Sequence, residues 1–189
     1  MIYHYDLSTL VFWLAFFCAL LMVYGLNTWL PTVMIETGYG LNSSLGFLIA
    51  LQGVAVVGIL VLSNLCEKYG SKKVIISSYI AGAISLALLG FGGSIFYIFI
   101  LVAIAGAATT GSQVLIQAYV TSFYPSAMKS TGLGMASGIG RFGGMTGPIL
   151  GGFLVSLALP NFMNFLVFSI VGIVAAFGLS LIAVELPST

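Results

Sequence analysis

Long stretches of this chain carry no charge, and the intervals between its few charged side chains decide what it can fold into. Asp6 and Glu36 enclose 29 uncharged residues (7–35), and Glu36 and Glu67 enclose 30 (37–66). Residues 74–128 form an uncharged stretch of 55, and residues 130–184 another of 55, broken only by Arg141. A helix crosses the hydrocarbon core of a bilayer with roughly 20 apolar residues. The first two stretches therefore hold one crossing each, and each of the last two holds two crossings and a turn. With 5% charged and 60% hydrophobic residues over 189 positions, a soluble fold could not bury so much apolar surface. This is an integral membrane protein by composition.

The turns are legible as Gly90-Phe-Gly-Gly-Ser94 and Leu159-Pro-Asn161. The expected architecture is one all-α domain of six transmembrane helices over residues 1–189, with spans at about 8–34, 44–66, 74–91, 95–122, 131–157 and 162–184. The apolar runs are continuous, whereas β-barrel strands alternate over about 10 residues, so helices are favoured over a barrel. The first run is too long for a signal-peptide core and has no basic segment before it, only His4 and Asp6. Lys68, Lys72 and Lys73 lie between spans 2 and 3, and Lys129 lies between spans 4 and 5. The other three connections carry no Lys or Arg. The positive-inside rule then places the basic loops and both termini in the cytoplasm. Trp13 and Trp29 fall near opposite ends of span 1, which suits anchoring at the two membrane interfaces or simple lipid-facing filler.

Several function classes fall away. Cys18 and Cys66 do not suit a disulfide, and two Cys with a single His near the start of the chain cannot build a haem or zinc site. No Ser/His/Asp set and no carboxylate pair lies within the spans, so an intramembrane enzyme has no candidate groups. No cofactor, no metal and no nucleic-acid role is implied.

The polar residues inside the spans are more informative. Arg141 lies about ten residues into span 5, roughly 15 Å from its cytoplasmic end at 1.5 Å per residue. Intramembrane Arg is costly and faces a cavity or a partner. The four acids, Asp6, Glu36, Glu67 and Glu185, all sit at span ends. Arg141 must therefore meet backbone, water, another chain or an anionic ligand. It either ties helices together through carbonyls or faces an anion. Span 5 holds Gly132, Gly134, Gly138, Gly140, Gly143, Gly144, Gly147, Gly151 and Gly152, with Pro148 as a kink site. Glycines four apart let helices approach backbone to backbone, or make a deformable helix beside a pathway. Thr109, Gln113 and Gln117 recur every four residues on span 4, and Gln113 lies near the depth of Arg141. Tyr24, Asn27 and Pro31 mark one face of span 1, and Gln52 is the strongly polar residue deep in span 2. Each is either a hydrogen-bonding link between helices or a cavity lining.

The stretch from Ser63 through Glu67, Lys68, Gly70, Lys72 and Lys73 resembles the signature loop of the major facilitator superfamily, with Ser63 and Ser71 as departures and Glu67 where Asp is usual. Tyr24-Gly-Leu-Asn-Thr-Trp-Leu-Pro-Thr32 resembles the seventh helix of aromatic acid:proton symporters within that superfamily. Tyr124-Pro125, Lys129, Thr131-Gly132, Gly140-Arg141-Phe-Gly143 and Gly147-Pro148 resemble their tenth loop and eleventh helix, with Lys129 in place of Arg. The resemblance covers nearly the whole chain but half the family's length. It implies the C-terminal six-helix half of a twelve-helix transporter, whose two halves enclose a midplane site and rock to alternate access.

The resulting expectation is secondary transport of a small organic anion such as an aromatic carboxylate, coupled to protons, in the plasma membrane. Arg141, Gln113, Thr109, Tyr24, Asn27 and Gln52 are the candidate substrate-binding residues. Glu67, Lys68, Gly70, Lys72, Lys73 and Lys129 are the candidate gating-loop residues. The partners are the lipid bilayer, the anion, the proton, and a complementary N-terminal half or a second copy of the chain. The alternative is a non-transporting remnant or assembly subunit of a split or truncated transporter, since the spans hold no carboxylate to carry a coupling proton.

Overall fold

A computed structural model describes residues 3–36, 38–157 and 160–182. It consists of six helices: α1 Tyr3–Glu36, α2 Leu41–Tyr69, α3 Ser71–Leu89, α4 Ile95–Phe123, α5 Lys129–Ser156 and α6 Asn161–Ser180, with no strand among the described residues. Five of them, from Leu7–Glu36 to Phe162–Ser180, are long and apolar enough to cross a membrane. The exception is α5, which has 28 residues and so ample length. Its nine glycines lower its hydropathy without adding charge, and it packs inside the same bundle. Of the expected turn at Leu159-Pro-Asn161, Leu159 lies outside the described residues, as does the expected end of the last span at 184.

Successive helices run in opposite directions. At one end, the Tyr39 hydroxyl donates to the Gly93 carbonyl (2.8 Å), joining the α1–α2 and α3–α4 connections. The Phe91 and Phe162 rings pack 4.9 Å apart at that same end. At the other end, the Phe12 ring meets Phe123 and Tyr124 edge-on at 5.0 and 6.2 Å. The hydroxyls of Thr9 and Tyr124 share a hydrogen bond of 2.7 Å there. Gly70 closes α2 at φ 87°, a left-handed conformation that strains any side-chain-bearing residue, and its N–H bonds the Cys66 carbonyl. That is the physical role of the signature-loop glycine. It lets α3 start one residue after α2 ends.

Packing is organised around two close helix pairs. α1 lies chiefly on α5 and more lightly on α6, while α4 sits between α2 and α3, and α3 packs on α6 as well. Small residues make both pairs possible. A Cβ on Gly106 of α4 would stand 2.8 Å from the Leu51 carbonyl carbon of α2, and one on Gly58 of α2 would stand 2.8 Å from the Ala107 Cα. On the other pair, a Cβ on Gly143 would stand 2.8 Å from the Phe17 carbonyl carbon, and one on Gly147 would stand 2.9 Å from the Gly25 nitrogen. Without the hydrophobic driving force that acts in water, such backbone proximity is a main source of helix association in lipid. Between α3 and α6, the Ser169 hydroxyl donates to the Ala83 carbonyl at 2.7 Å.

Candidate functional site

The two close pairs leave an opening between α1 on one side and α2 with α4 on the other. Here lies a cavity of about 440 Å³ lined by Leu20, Val23, Tyr24 and Asn27 of α1, Leu48 and Gln52 of α2, and Gln113 of α4. That volume lies within the range of small-molecule sites, roughly 300–1,000 Å³. Four of the six residues expected at a ligand site therefore meet around one space. The α2–α4 contact positions two of them, because Gln52 follows Leu51, whose backbone abuts Gly106.

Each polar group is held differently. The Asn27 side chain donates to the Val23 carbonyl one turn back (2.7 Å), which fixes its rotamer and leaves its own carbonyl oxygen uncommitted. Pro31, one turn further on, has no N–H to give the Asn27 backbone carbonyl, so a second acceptor is released at that level. Tyr24 is half exposed. Gln52 is exposed and Gln113 is half-buried. Amides can donate and accept at once, so the wall can bond a carboxylate or a neutral polar group.

Thr109 lies elsewhere. It is 3% exposed, its hydroxyl donates to the Ala105 carbonyl at 2.7 Å, and its methyl group faces Gly82 of α3. The reason is the helical pitch. Four residues advance a helix by about 400°, so each step of four rotates the face by about 40°. Over Thr109 and Gln113 this drift carries the side chain from the α3 contact to the cavity.

Arg141 is exposed, does not line the cavity, and has no hydrogen-bond or ion-pair partner among the described residues. It precedes Gly144 by one turn, and the Gly144 backbone abuts the ring of Tyr24. Arg141 thus stands on the flank of α5 that borders the cavity wall. Trp29 does not act as an interface anchor alone. It lies across Gly151 and Gly152, and its indole N–H donates to the Pro148 carbonyl at 2.6 Å, pinning α1 to α5 beside the proline.

At the end of the bundle with Gly70, Glu67, Lys68, Lys73 and Lys129 are exposed. Lys72 is half-buried and donates from Nζ to the carbonyls of Ser180 (3.4 Å) and Ile182. α6 has no basic residue in its own last turn, so a lysine from the first turn of the adjacent α3 satisfies carbonyls at its C-terminus, where a cation is favoured. The apolar lining residues Leu20, Val23 and Leu48 were not singled out from sequence. A signal for the first two existed, since they stand one turn before Tyr24 and Asn27 on the same face.

Comparison with known proteins points the same way. The family profile described as Major Facilitator Superfamily matches residues 12–189. A benzoate transport protein from Acinetobacter baylyi is 46% identical over 173 residues, which is 90% of this chain and 37% of that protein. A gentisate transporter from Corynebacterium glutamicum is 36% identical, over 94% of this chain and 40% of that protein. A 3-(3-hydroxy-phenyl)propionate transporter from Escherichia coli is 35% identical, over 79% and 37%. The chain spans well under half the length of these curated relatives.

Proposed function

This chain belongs to the major facilitator superfamily, and on that premise we propose that it forms the C-terminal wall of a secondary transporter that takes up small aromatic carboxylates with protons across the plasma membrane. The observation that carries the reading is the cavity. Tyr24, Asn27, Gln52 and Gln113 from three helices surround one opening at mid-helix. The names of the relatives, transporters of benzoate, gentisate and a hydroxyphenyl propionate, supply the substrate class.

The chemistry fits an aromatic acid. The ring of Tyr24 and the side chains of Leu20, Val23 and Leu48 offer an apolar surface to an aromatic ring, while the amides of Gln52 and Gln113 offer N–H donors to a carboxylate. Arg141 supplies the positive charge. Its planar fork matches a carboxylate bidentately, and a charge left facing lipid would be unfavourable by a few kcal/mol. The four acids sit at the ends of the spans read from the sequence, so a carboxylate that carries the coupling proton would come from the complementary N-terminal half. Rocking of that half against this one gives alternating access to the site between them. Lys68, Lys72, Lys73 and Lys129 set the orientation, with the α2–α3 and α4–α5 connections and both termini cytoplasmic. Gly70 and the helix-end residues Glu67, Lys68, Lys72, Lys73 and Lys129 flank the cytoplasmic connections that gate the movement.

The test has two arms. Cells producing the chain with a complementary six-helix half should accumulate labelled benzoate, and a protonophore should abolish the accumulation. The purified chain, reconstituted as a monomer, should not transport. Saturable uptake by the monomer would remove the need for a second half. In a Cys-free background, an impermeant thiol reagent applied to intact cells should label Gly92→Cys and spare Lys72→Cys. The reverse pattern would overturn the orientation.

A further inference from the structure

We infer that Gly144 is a specificity-determining residue: its missing side chain sets how far the Tyr24 ring stands into the cavity, and so the width open to a ligand's ring. The inference rests on the aromatic-acid reading above for its functional consequence, and on packing alone for its geometry.

Tyr24 lines the cavity from α1 and is half exposed. Its ring edge lies against α5. A Cβ on Gly144 would stand 3.1 Å from Cδ2 and 3.4 Å from Cε2 of that ring. Those separations are shorter than ordinary van der Waals contact between carbons, which is about 3.5–4.0 Å. Something has to give, and the neighbouring contacts decide what. On either side of Gly144, α1 and α5 already touch backbone to backbone, at Gly143 against Phe17 and at Gly147 against Gly25 and Leu21. Trp29 adds a hydrogen bond to Pro148 one turn above.

The two helices are therefore pinned together, and interiors so packed do not yield continuously. The backbone of Tyr24 is part of α1, and its carbonyl accepts the Thr28 hydroxyl at 2.8 Å. What remains free is the ring, through its own side-chain torsions, and the open volume next to it is the cavity. A methyl group at 144 moves the ring away from α5 and into that space. Gly144 differs in this from Gly143 and Gly147, where a methyl would press on backbone, and from Gly134 and Gly138, where a methyl would meet nothing within 4 Å. Gly140 also faces a cavity-lining side chain, with Leu20 Cδ1 at 2.8 Å from a Cβ there, but that methyl would press on the Phe16 carbonyl at 3.2 Å as well, whereas at Gly144 the three nearest atoms all belong to the Tyr24 ring. Gly144 is a positioning residue, acting on the ligand through Tyr24.

The experiment compares benzoate with 4-methoxybenzoate, which has the same charge and a longer ring substituent, in cells producing the chain with its complementary half. Gly144→Ala should raise KM for 4-methoxybenzoate roughly 10-fold more than for benzoate, the scale expected of one carbon's misfit in a tight pocket. In a Tyr24→Leu background the same change should leave the ratio of the two KM values unaltered, because no ring is left to displace. A substrate-free measurement runs beside it on the chain alone in detergent. Gln52→Cys in a Cys-free background is modified with a small and with a bulky thiol reagent. Gly144→Ala should slow only the bulky one, and only while Tyr24 is present. An unchanged KM ratio and unchanged labelling would overturn the inference, as would an effect that persists undiminished in Tyr24→Leu. Failure of the unmodified transporter to take up any aromatic acid overturns the uptake reading and the specificity role with it, and the labelling ratio then decides the Gly144–Tyr24 contact on its own.

Discussion

Gly143 and Gly138 are the same residue on the same helix, and they do opposite things. Gly143 is buried with its α-carbon against the backbone of α1, whereas Gly138 is exposed and a Cβ there would meet nothing within 4 Å. The buried set, Gly140, Gly143, Gly147 and Gly151, follows a spacing of three and four that keeps it on one stripe. The open set, Gly134 and Gly138, shares its side of α5 with exposed Arg141, Phe142, Met145 and Ile149. The difference teaches that glycine content in a membrane helix marks close approach in general, but not which face approaches what. In this chain one face is already used, and the other is the face that the proposed N-terminal half would cover.

The sharpest way to break the contrast is to fill the buried face. Gly143→Ala places a methyl group against the Phe17 carbonyl, where neither partner is a flexible side chain. Overpacking of this kind costs about 1–3 kcal/mol and sometimes more. The expected result is a large drop in folded protein recovered from membranes and in thermal stability in detergent. Wild-type recovery would show that α1 and α5 can part, and would also undercut the rigid frame invoked for Gly144.

Arg141, on the open face, should show its effect in transport rather than in folding. It makes no hydrogen bond or ion pair among the described residues, so Arg141→Lys removes no contact on which this half depends. Loss of one charge-assisted hydrogen bond to a carboxylate costs about 1.5 kcal/mol, or about tenfold in affinity. Uptake of benzoate should fall by roughly that factor while membrane abundance stays near wild type. Unimpaired transport by Arg141→Ala would take this residue out of the site.

The smallest effect belongs to Gly138→Ala. The position is helical, a Cβ there would meet nothing within 4 Å among the described residues, and Ala is favoured over Gly in a helix by about 1 kcal/mol. The chain alone should be as stable as wild type or slightly more so in thermal unfolding. If instead Gly138→Ala destabilised the isolated chain as much as Gly143→Ala, the two faces would not be distinct.

Much of this was legible in the residues. Eight of the nine charges stand at the ends of long apolar runs, which is enough to count helices, because an unpaired charge in hydrocarbon is too costly to be left there by accident. Gly70 was legible as a turn because left-handed backbone all but demands glycine. Tyr24, Asn27, Gln52 and Gln113 were legible as residues that either line a cavity or link helices, because polar side chains avoid lipid. Thr109 carried the same reading and points inward but does not line the cavity, because a hydroxyl can satisfy itself on the carbonyl four residues back and then pack as an apolar group. Trp29 read as an interface residue from its place near a helix end, yet its bond to Pro148 is a long-range fact that no local pattern carries.

The boundary between what the chain determined locally and what the fold decided follows the range of the forces involved. Membrane insertion depends on the transfer of each segment into hydrocarbon, a sum over neighbouring residues, so the all-helical class, the helix count and the polar inventory follow from sequence alone. Which glycines meet a carbonyl, which hydroxyl turns inward, and that α1 parts from the α2–α4 pair to leave a cavity while α1 and α5 close on each other depend on six helices settling together. Packing is short-ranged and collective, with attraction and clash separated by a fraction of an ångström. That is why Gly144 reads in the sequence as one glycine among nine, and in the tertiary structure as the support of the Tyr24 ring.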